Sequence, residues 1–325
     1  MTRIPQLILL LFLLSACTPS GAKRYRFPEP VDTSTRPIKV QAKKKYAFAA
    51  AGLTFDNLFA GARLNNVEQV NDTLFTITIE PENEPINPSP WYAFRVAADR
   101  DRSVSLRLTY PDDYFHRYFP KVSLNRKDWV TMDSAAVWVS EDKKSAILQL
   151  SLKQGQESFI AGQEVINTLD VADWLDSLAT KYPAVLSRFS AGKSMLERDL
   201  PAFSLRKGAA DDRPTIVLMS RQHPPEITGF ICFQAFLAGL LEHPQRDAFL
   251  AKYQVLVYPL LNPDGVDMGH WRHGAGGIDG NRDWAKYRQP EARQVANDIV
   301  RRTKETKSRV VLGIDFHSTW KEVFY

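Results

Sequence analysis

Cysteine is scarce in this sequence of 325 residues, which contains only Cys17 and Cys232. Because we expect the Cys17 thiol to be modified at the end of an N-terminal signal, Cys232 has no predicted disulfide partner. We therefore expect a fold that is stabilised by packing and not by disulfides. Roughly 300 residues remain after processing, which is enough to bury a large core and suggests two domains.

A strong excess of one charge is also lacking. The 42 Lys and Arg residues and the 37 Asp and Glu residues give a net charge of +5, which is too mild to indicate a nucleic-acid partner. The run "KKK" at 43–45 ends a stretch that is rich in Pro, Ser and Thr. We interpret residues 18–45 as a solvated tether, with contact between the lysines and anionic lipid headgroups as the alternative.

The N-terminal "MTRIPQLILLLFLLSACTPSG" combines Arg3, an apolar run from Leu7 to Leu14, and small residues that lead to Cys17. This pattern predicts a secretory signal over residues 1–17, because the run is short for a membrane span. Its end, "LSAC", resembles the bacterial lipobox, in which the cysteine becomes the first mature residue and carries lipid. The resemblance implies a lipid-anchored protein of the bacterial cell envelope that faces the periplasm or the cell exterior. An ordinary cleaved signal is the alternative.

Residues 46–160 show the pattern of short strands. Segments such as "SVSLRLTY" and "SAILQLSL" alternate apolar with polar residues and are separated by turn clusters, which predicts an all-β sandwich domain. This half shows no catalytic cluster. We interpret the aromatic residues of its strands as core, with a sugar- or peptide-binding surface as the alternative. These residues are Trp91, Tyr92, Phe94, Trp129 and Trp138.

Residues 161–325 alternate strands with helices. "PTIVLMS", "YQVLVYPL" and "RVVLGIDF" read as buried strands, and "DVADWLDSLATKYP" and "PEARQVANDIVRRTKE" as amphipathic helices. "ITGFICFQAFLAGLLEH" is apolar nearly all round, so we expect that helix to be buried. The alternation predicts an α/β catalytic domain with a mostly parallel sheet and crossover helices, preceded by the all-β sandwich domain.

Polar residues follow three of these strands. His223 and Glu226 follow the first, a Gly-rich loop follows the second, and His317 follows the third. Because sites on open parallel sheets form at the carboxyl ends of the strands, we expect these side chains to meet. His and Glu are both zinc ligands, and the two prolines of "HPPE" would fix their separation. A helix start is the alternative reading of this segment.

The motifs together resemble the zinc carboxypeptidase family, the carboxypeptidase A-like metallopeptidases. The matching segments are "HPPE", "NPDG", "GIDGNRDW" and "DFHS", which occur in the family's order over residues 165–325. The β-rich half, with "FDNLFAGARLNNV" and "WYAFRV", is more loosely similar to the sandwich of the cytosolic-carboxypeptidase-like branch. The resemblance implies a zinc metallocarboxypeptidase that binds the C-terminus of a peptide or protein and removes its last residue.

The resemblance also implies roles for particular residues. His223, Glu226 and His317 would bind one zinc ion and leave a position open for water. Asp279 would hydrogen-bond a liganding histidine. Arg272 would stabilise the oxyanion, and Asn281 with Arg282 would hold the terminal carboxylate of the substrate. As alternatives, the arginines would be surface residues, and Asp279 and Asn281 would be turn formers.

The remaining histidines have no counterpart in the family. We interpret His270 and His273 as loop residues, His116 as part of an exposed loop, and His243 as a helix end.

The family's general base is a Glu far downstream of the third ligand, and no carboxylate here matches it. The sequence ends at Tyr325, and Glu322 is the only carboxylate close behind His317. We therefore expect either a fragment of a longer gene or a non-catalytic lipoprotein that binds zinc or peptide. An amidase or deacylase on the same scaffold is a further alternative.

Overall fold

The computed structural model describes residues 36–208 and 212–319. All of these residues belong to one compact unit. The predicted signal with Cys17, most of the tether, and Glu322 lie outside the described residues. The predicted division into domains at 46–160 and 161–325 stays a prediction.

The β-rich half contains eleven strands arranged in two sheets. In chain order these are β1 (Lys45–Phe48), β2 (Leu53–Asp56), β3 (Asn66–Gln69), β4 (Leu74–Thr78), β5 (Ala93–Ala98), β6 (Arg102–Thr109), β7 (Lys121–Ser123), β8 (Trp129–Thr131), β9 (Val137–Val139), β10 (Ser145–Leu152) and β11 (Glu157–Ala161). One sheet has the order β1-β2-β5-β11-β7-β8, and the other has the order β3-β4-β6-β10-β9. The pair β4 and β6 is parallel, whereas the other pairs in these two sheets are antiparallel.

The alternating pattern of these strands places one face of each in a shared core. In β10, Leu148 and Leu150 are buried, and Leu148 is paired with Leu106 of β6. Side chains on alternate positions point to the same face, so the apolar set of both strands faces inward. Of the strand aromatics, Trp91, Tyr92 and Phe94 are buried, whereas Trp138 is exposed.

The core of the β-rich half also receives side chains from later in the chain. Trp271 and Ile227 belong to the same apolar cluster as the sandwich residues. The Trp271 indole Nε1 donates to the Trp91 carbonyl at 3.1 Å, and its ring packs edge-on against Tyr114. The β-rich half and the half that carries the predicted site therefore share part of one apolar core.

Residues 36–44, the last part of the predicted tether, lie on the folded unit. The Lys39 amide donates to the Glu82 carbonyl at 2.7 Å, and Gln41 Nε2 donates to the Met268 carbonyl at 3.0 Å. Lys43 Nζ donates to the Asn57 carbonyl at 2.8 Å. These bonds hold the segment against both halves, which the solvated-tether interpretation did not anticipate.

A third sheet of five strands carries the predicted site. Its strands are β12 (Leu186–Lys193), β13 (Asp199–Leu205), β14 (Thr215–Ser220), β15 (Gln254–Tyr258) and β16 (Val310–Phe316), in the order β12-β13-β15-β14-β16. β14 is parallel to both β15 and β16, as predicted. The expectation of a mostly parallel sheet is not confirmed, because β12 and β13 form an antiparallel hairpin that joins β15 in antiparallel pairing. The sheet is mixed.

Five α-helices are described in this half: α1 (Thr168–Lys181), α2 (Ile227–Glu242), α3 (Arg246–Lys252), α4 (Pro263–Met268) and α5 (Pro290–Glu305). The start of α1 is fixed by a capping box, in which Asn167 and Asp170 satisfy each other's backbone amides. Helix α5 buries Ala292 and Val295 towards the sheet, as its apolar stripe predicts.

Helix α2 differs from the expectation that it is buried all round. Phe230, Phe233 and Leu237 pack in the core with the sheet. Ile231 and Phe236 are exposed, the latter beside Phe316 at the end of β16. An all-apolar composition therefore does not reveal which face is covered. Within the described residues, no single helix is long and apolar enough to cross a membrane; α2 and α3 pass that test only as a pair bent by 98°.

Candidate metal centre

The corner between β14 and α2 places His223 and Glu226 side by side. Strand β14 ends at Ser220, and Glu226 directly precedes α2 as its N-cap residue. Between them, the Glu226 amide donates to the His223 carbonyl at 3.3 Å. The two prolines restrict the backbone inside this turn. Both side chains therefore lie above the carboxyl end of the parallel strands.

His317 reaches the same place from β16, where it directly follows Phe316. The first turn of α2 passes so close that a Cβ on Gly229 would lie 2.7 Å from the His317 carbonyl oxygen. The Gly229 amide donates to the Ser318 hydroxyl at 2.9 Å. Only glycine leaves room for this approach, so Gly229 is part of what places His317 next to Glu226.

The three predicted ligands converge. His223 Nδ1 lies 2.9 Å from Glu226 Oε1, and His317 Nδ1 lies 2.8 Å from Glu226 Oε2. One potential ligand atom from each residue lies within 4.8 Å of the others. Glu226 is largely buried, and burial opposes its charged form, but the hydrogen bonds with both imidazoles hold its pKa at about 2.

The outer nitrogen of each imidazole faces a second carboxylate. His223 Nε2 lies 2.9 Å from Asp279 Oδ1, and His317 Nε2 lies 2.7 Å from Asp315 Oδ2. Burial would lower the pKa of His317, but Asp315 and Glu226 together raise it to about 10. The family resemblance implied the contact between Asp279 and a liganding histidine, whereas Asp315 was not among the predicted residues.

This arrangement fits a zinc ion. A neutral imidazole has only one N–H, so a ring with carboxylates at both nitrogens must either gain a proton or offer one lone pair to a cation. With the N–H on Nε2, donating to Asp279 or Asp315, each Nδ1 is free to bind metal beside Glu226. Two imidazole nitrogens and one carboxylate are a common ligand set for catalytic zinc.

Asp279 joins the candidate metal centre to the predicted substrate clamp. Its Oδ2 accepts from Arg272 Nε at 2.6 Å. Burial opposes the charge of Asp279, but His223 and Arg272 together hold its pKa well below its usual range. Its Oδ1 also accepts from the Asn281 amide at 2.9 Å, which begins the 3₁₀ turn Gly280–Arg282. The side chain of Arg282 is exposed. The Asp279 carboxylate therefore contacts Arg272 and the Asn281 amide, and Arg282 lies in the turn that follows.

A second set of contacts behind His317 was missed by the sequence reasoning. Gln222 Nε2 donates to Asp315 Oδ2, and Gln222 Oε1 accepts from the Trp284 indole at 2.9 Å. Gln222 is almost fully buried. Two signals were present: Asp315 lies two residues before His317, on the same face of a strand, and Gln222 directly precedes His223.

The other histidines differ partly from their predicted surroundings. His116 was predicted to lie on an exposed loop, but it is buried beside Tyr110. Its Nδ1 forms a hydrogen bond with the tyrosine hydroxyl at 2.8 Å, which offsets the loss of water at this nitrogen. His270 and His273 do lie on a loop, but both are buried. His243 follows the end of α2, as predicted.

His223, Glu226 and His317, at the ends of parallel strands, form a group that could hold a metal ion, and their residue types are a ligand set of catalytic zinc sites. Residues 171–325 match the zinc carboxypeptidase family, and this part of the chain belongs to that family.

Relatives are found among the carboxypeptidases. The chain is 25% identical over 289 residues to cytosolic carboxypeptidase 6 of Mus musculus, a match that covers 82% of this chain and 53% of that protein. The chain therefore spans about half the length of this curated relative. An uncharacterized protein of Zymomonas mobilis is 25% identical over 258 residues, which cover 76% of this chain and 64% of that protein.

Two solved structures share the fold. The metallo-carboxypeptidase of Burkholderia cenocepacia matches with a TM-score of 0.65 and 18% identity, covering 77% of this chain and 67% of its own. The metallo-carboxypeptidase of Pseudomonas aeruginosa matches with a TM-score of 0.64 and 20% identity, covering 82% of this chain and 69% of its own. At these low sequence identities, the two matches show a shared fold.

Proposed function

We propose that the protein is a zinc-dependent metallocarboxypeptidase that removes C-terminal residues from peptides. The observation that carries this proposal is the convergence of His223, Glu226 and His317, with a carboxylate behind each imidazole. Zinc bound there would lower the pKa of a water molecule to about 7 and polarise the scissile carbonyl.

The side chains around the metal centre have distinct tasks in this proposal. Arg272 donates to the oxyanion that forms on the scissile carbonyl, and its contact with Asp279 fixes the position of its guanidinium. Arg282 is exposed and offers a planar pair of donors to the terminal carboxylate of the substrate. Asn281 is placed beside it by the 3₁₀ turn after Asp279.

A second candidate is a protein that binds zinc or a peptide terminus without hydrolysis. It is favoured by one observation: Asp279 and Asp315, the carboxylates behind the imidazoles, are both engaged by ring nitrogens. Neither is free to take a proton from water, and a positioned base typically contributes 10²–10⁴-fold in rate. An amidase or deacylase is the third candidate, and it would have no need of Asn281 and Arg282.

The test compares one peptide as its free acid and as its C-terminal amide, each incubated with the zinc-loaded protein and followed by mass spectrometry. A carboxypeptidase shortens the free acid by one residue and leaves the amide intact, because its clamp requires the terminal carboxylate. The His223→Ala variant should abolish this activity. Cleavage of both forms would indicate the amidase. Binding of the free acid without shortening would indicate the non-catalytic protein.

We further propose that the protein is a lipoprotein of the bacterial cell envelope, lipid-anchored and facing the periplasm or the cell exterior. The support is the sequence "LSAC" after an apolar run. Cys17 lies outside the described residues. In this proposal the substrates are peptides or protein C-termini outside the cytoplasm.

A further inference from the structure

A carboxylate of the β-rich half lies fully buried beneath the loop that carries Arg272. Glu82 follows β4 and is 0% exposed. Burial opposes the charge of Glu82, but His270, Arg63 and backbone amides lower its pKa, so it is ionised at neutral pH. A buried charge is retained only where it is well compensated, which points to a specific task for this residue.

Glu82 accepts hydrogen bonds from three successive backbone amides of that loop. Its Oε2 accepts from the Trp271 amide at 2.7 Å. Its Oε1 accepts from the Arg272 amide at 3.0 Å and from the His273 amide at 2.7 Å. Hydrogen bonds to an ionised acceptor are stronger than those between neutral groups. The backbone of the loop is therefore held by one side chain from a distant part of the chain.

The neighbouring Asn83 extends the same contact. Its Oδ1 accepts from His273 Nδ1 at 2.7 Å, and its Nδ2 donates to the Gly277 carbonyl at 3.3 Å. Burial lowers the pKa of His273, consistent with a neutral ring whose Nδ1 carries the proton. The segment that contains Glu82 and Asn83 thus holds the loop from Trp271 to Gly277.

The loop is connected to the candidate metal centre through one side chain. Arg272 Nε donates to Asp279 Oδ2 at 2.6 Å, and Asp279 Oδ1 pairs with His223 Nε2 at 2.9 Å. A shift of the Arg272 backbone would move the guanidinium that orients Asp279. Groups that orient a metal-binding imidazole affect metal affinity even though they do not touch the metal.

We propose that Glu82 is a positioning residue through which the β-rich half sets the geometry of His223, acting on the backbone of Arg272 and then through Asp279. The inference rests on the proposed zinc site and adds to it a role for the β-rich half. Glu82 itself touches neither the metal nor a substrate.

The first experiment measures zinc affinity by competition with a chromophoric chelator, in the full chain and its variants. Glu82→Gln removes the charge at nearly constant size, and we expect zinc affinity to fall about tenfold. Glu80→Gln is the matched control, because Glu80 is an exposed carboxylate two residues away, and its affinity should equal that of the wild type. Equal affinity of Glu82→Gln and the wild type would overturn the proposal.

A double-mutant cycle separates positioning from a general loss of structure. Arg272→Ala removes the side chain that links Glu82 to Asp279, so adding Glu82→Gln to Arg272→Ala should cause little further loss of affinity. Fully additive losses would show that Glu82 acts by another route and would contradict the proposal.

Hydrogen exchange tests the same contact without metal. In the metal-free protein, Glu82→Gln should speed exchange at the amides of Trp271, Arg272 and His273 and leave the amides of α5 unchanged. If the wild type bound no zinc, the proposed function would fail, while these amides would still decide whether Glu82 holds the loop. Unchanged exchange at all three amides would refute that contact.

Discussion

Nε2 of His223 and Oδ1 of Asp279 lie 2.9 Å apart, and this carboxylate also pairs with Arg272 through its other oxygen. Asp279 therefore orients an imidazole of the candidate metal centre and a predicted catalytic arginine at the same time. A change at this carboxylate should affect both.

For Asp279→Asn we expect zinc affinity to fall about 10–100-fold, because the neutral amide is a weaker partner for His223 and loses the ion pair with Arg272. Chelator competition measures the affinity. Asp173→Asn, a change at an exposed position of α1, is the control. Wild-type affinity in Asp279→Asn would contradict the orienting role.

For Asp315→Asn we expect a loss of zinc affinity of similar size, since Asp315 pairs with Nε2 of His317 in the same way as Asp279 pairs with Nε2 of His223. Gln222→Ala should have a smaller effect in the same direction, because Gln222 donates to Asp315 and, within the described residues, forms no hydrogen bond with an imidazole. The two variants can be ranked in one titration series. A larger loss for Gln222→Ala than for Asp315→Asn would reverse the order that the contacts predict.

Stability should fall as the pH drops below 6.5, in part because of His116. Burial lowers the pKa of His116 from 6.5 to about 4, so between these values the unfolded chain binds more protons than the folded one. The free energy of unfolding then rises with pH across this window, by at most about 1.4 kcal/mol per pH unit for one group. Urea unfolding at pH 7 and pH 5 should show a smaller difference for His116→Phe than for the wild type.

His243→Phe is the control for that measurement, because it removes an exposed histidine. Burial also lowers the pKa of His270 and His273, so some dependence on pH should persist in His116→Phe. An identical pH dependence in His116→Phe and the wild type would argue against a neutral, buried His116.

The lipid-anchor proposal predicts that a labelled fatty acid is incorporated into the wild type and not into Cys17→Ser when each is expressed in a bacterial host. Fractionation should place the wild type with membranes. Cys232→Ser, which changes the other cysteine, should retain the label. Equal labelling of Cys17→Ser and the wild type would refute the proposal.

The sequence was informative where local spacing determines the geometry. His223 and Glu226 are separated by two prolines, and His317 follows a strand that is parallel to β14. Their positions at the ends of parallel strands therefore predicted that the three side chains meet, as they do. The motif also located Asn281 and Arg282 in one turn that Asp279 directly precedes, whereas their role as a substrate clamp stays a prediction.

Long-range contacts were beyond this reasoning. Glu82 and the amide of Arg272 are 190 residues apart, and no periodicity links a glutamate after a strand to a glycine-rich loop. The antiparallel hairpin of β12 and β13 was missed for a related reason. Its segments show no strict alternation of apolar and polar residues, and β13 is held as a strand by its pairing with β15. The exposed face of α2 shows that apolar composition does not determine burial by itself.

The most direct test of the zinc site is the zinc content of the purified full chain, together with an X-ray absorption spectrum of the bound metal. We expect about one zinc per chain, with two imidazole nitrogens at about 2.0–2.1 Å and carboxylate or water oxygens completing the ligands. His317→Ala and Glu226→Ala should each lose most of the zinc, because two protein ligands are too few. Stoichiometric zinc in both variants, or a spectrum without imidazole ligands in the wild type, would contradict the assignment of His223, Glu226 and His317 as the zinc site.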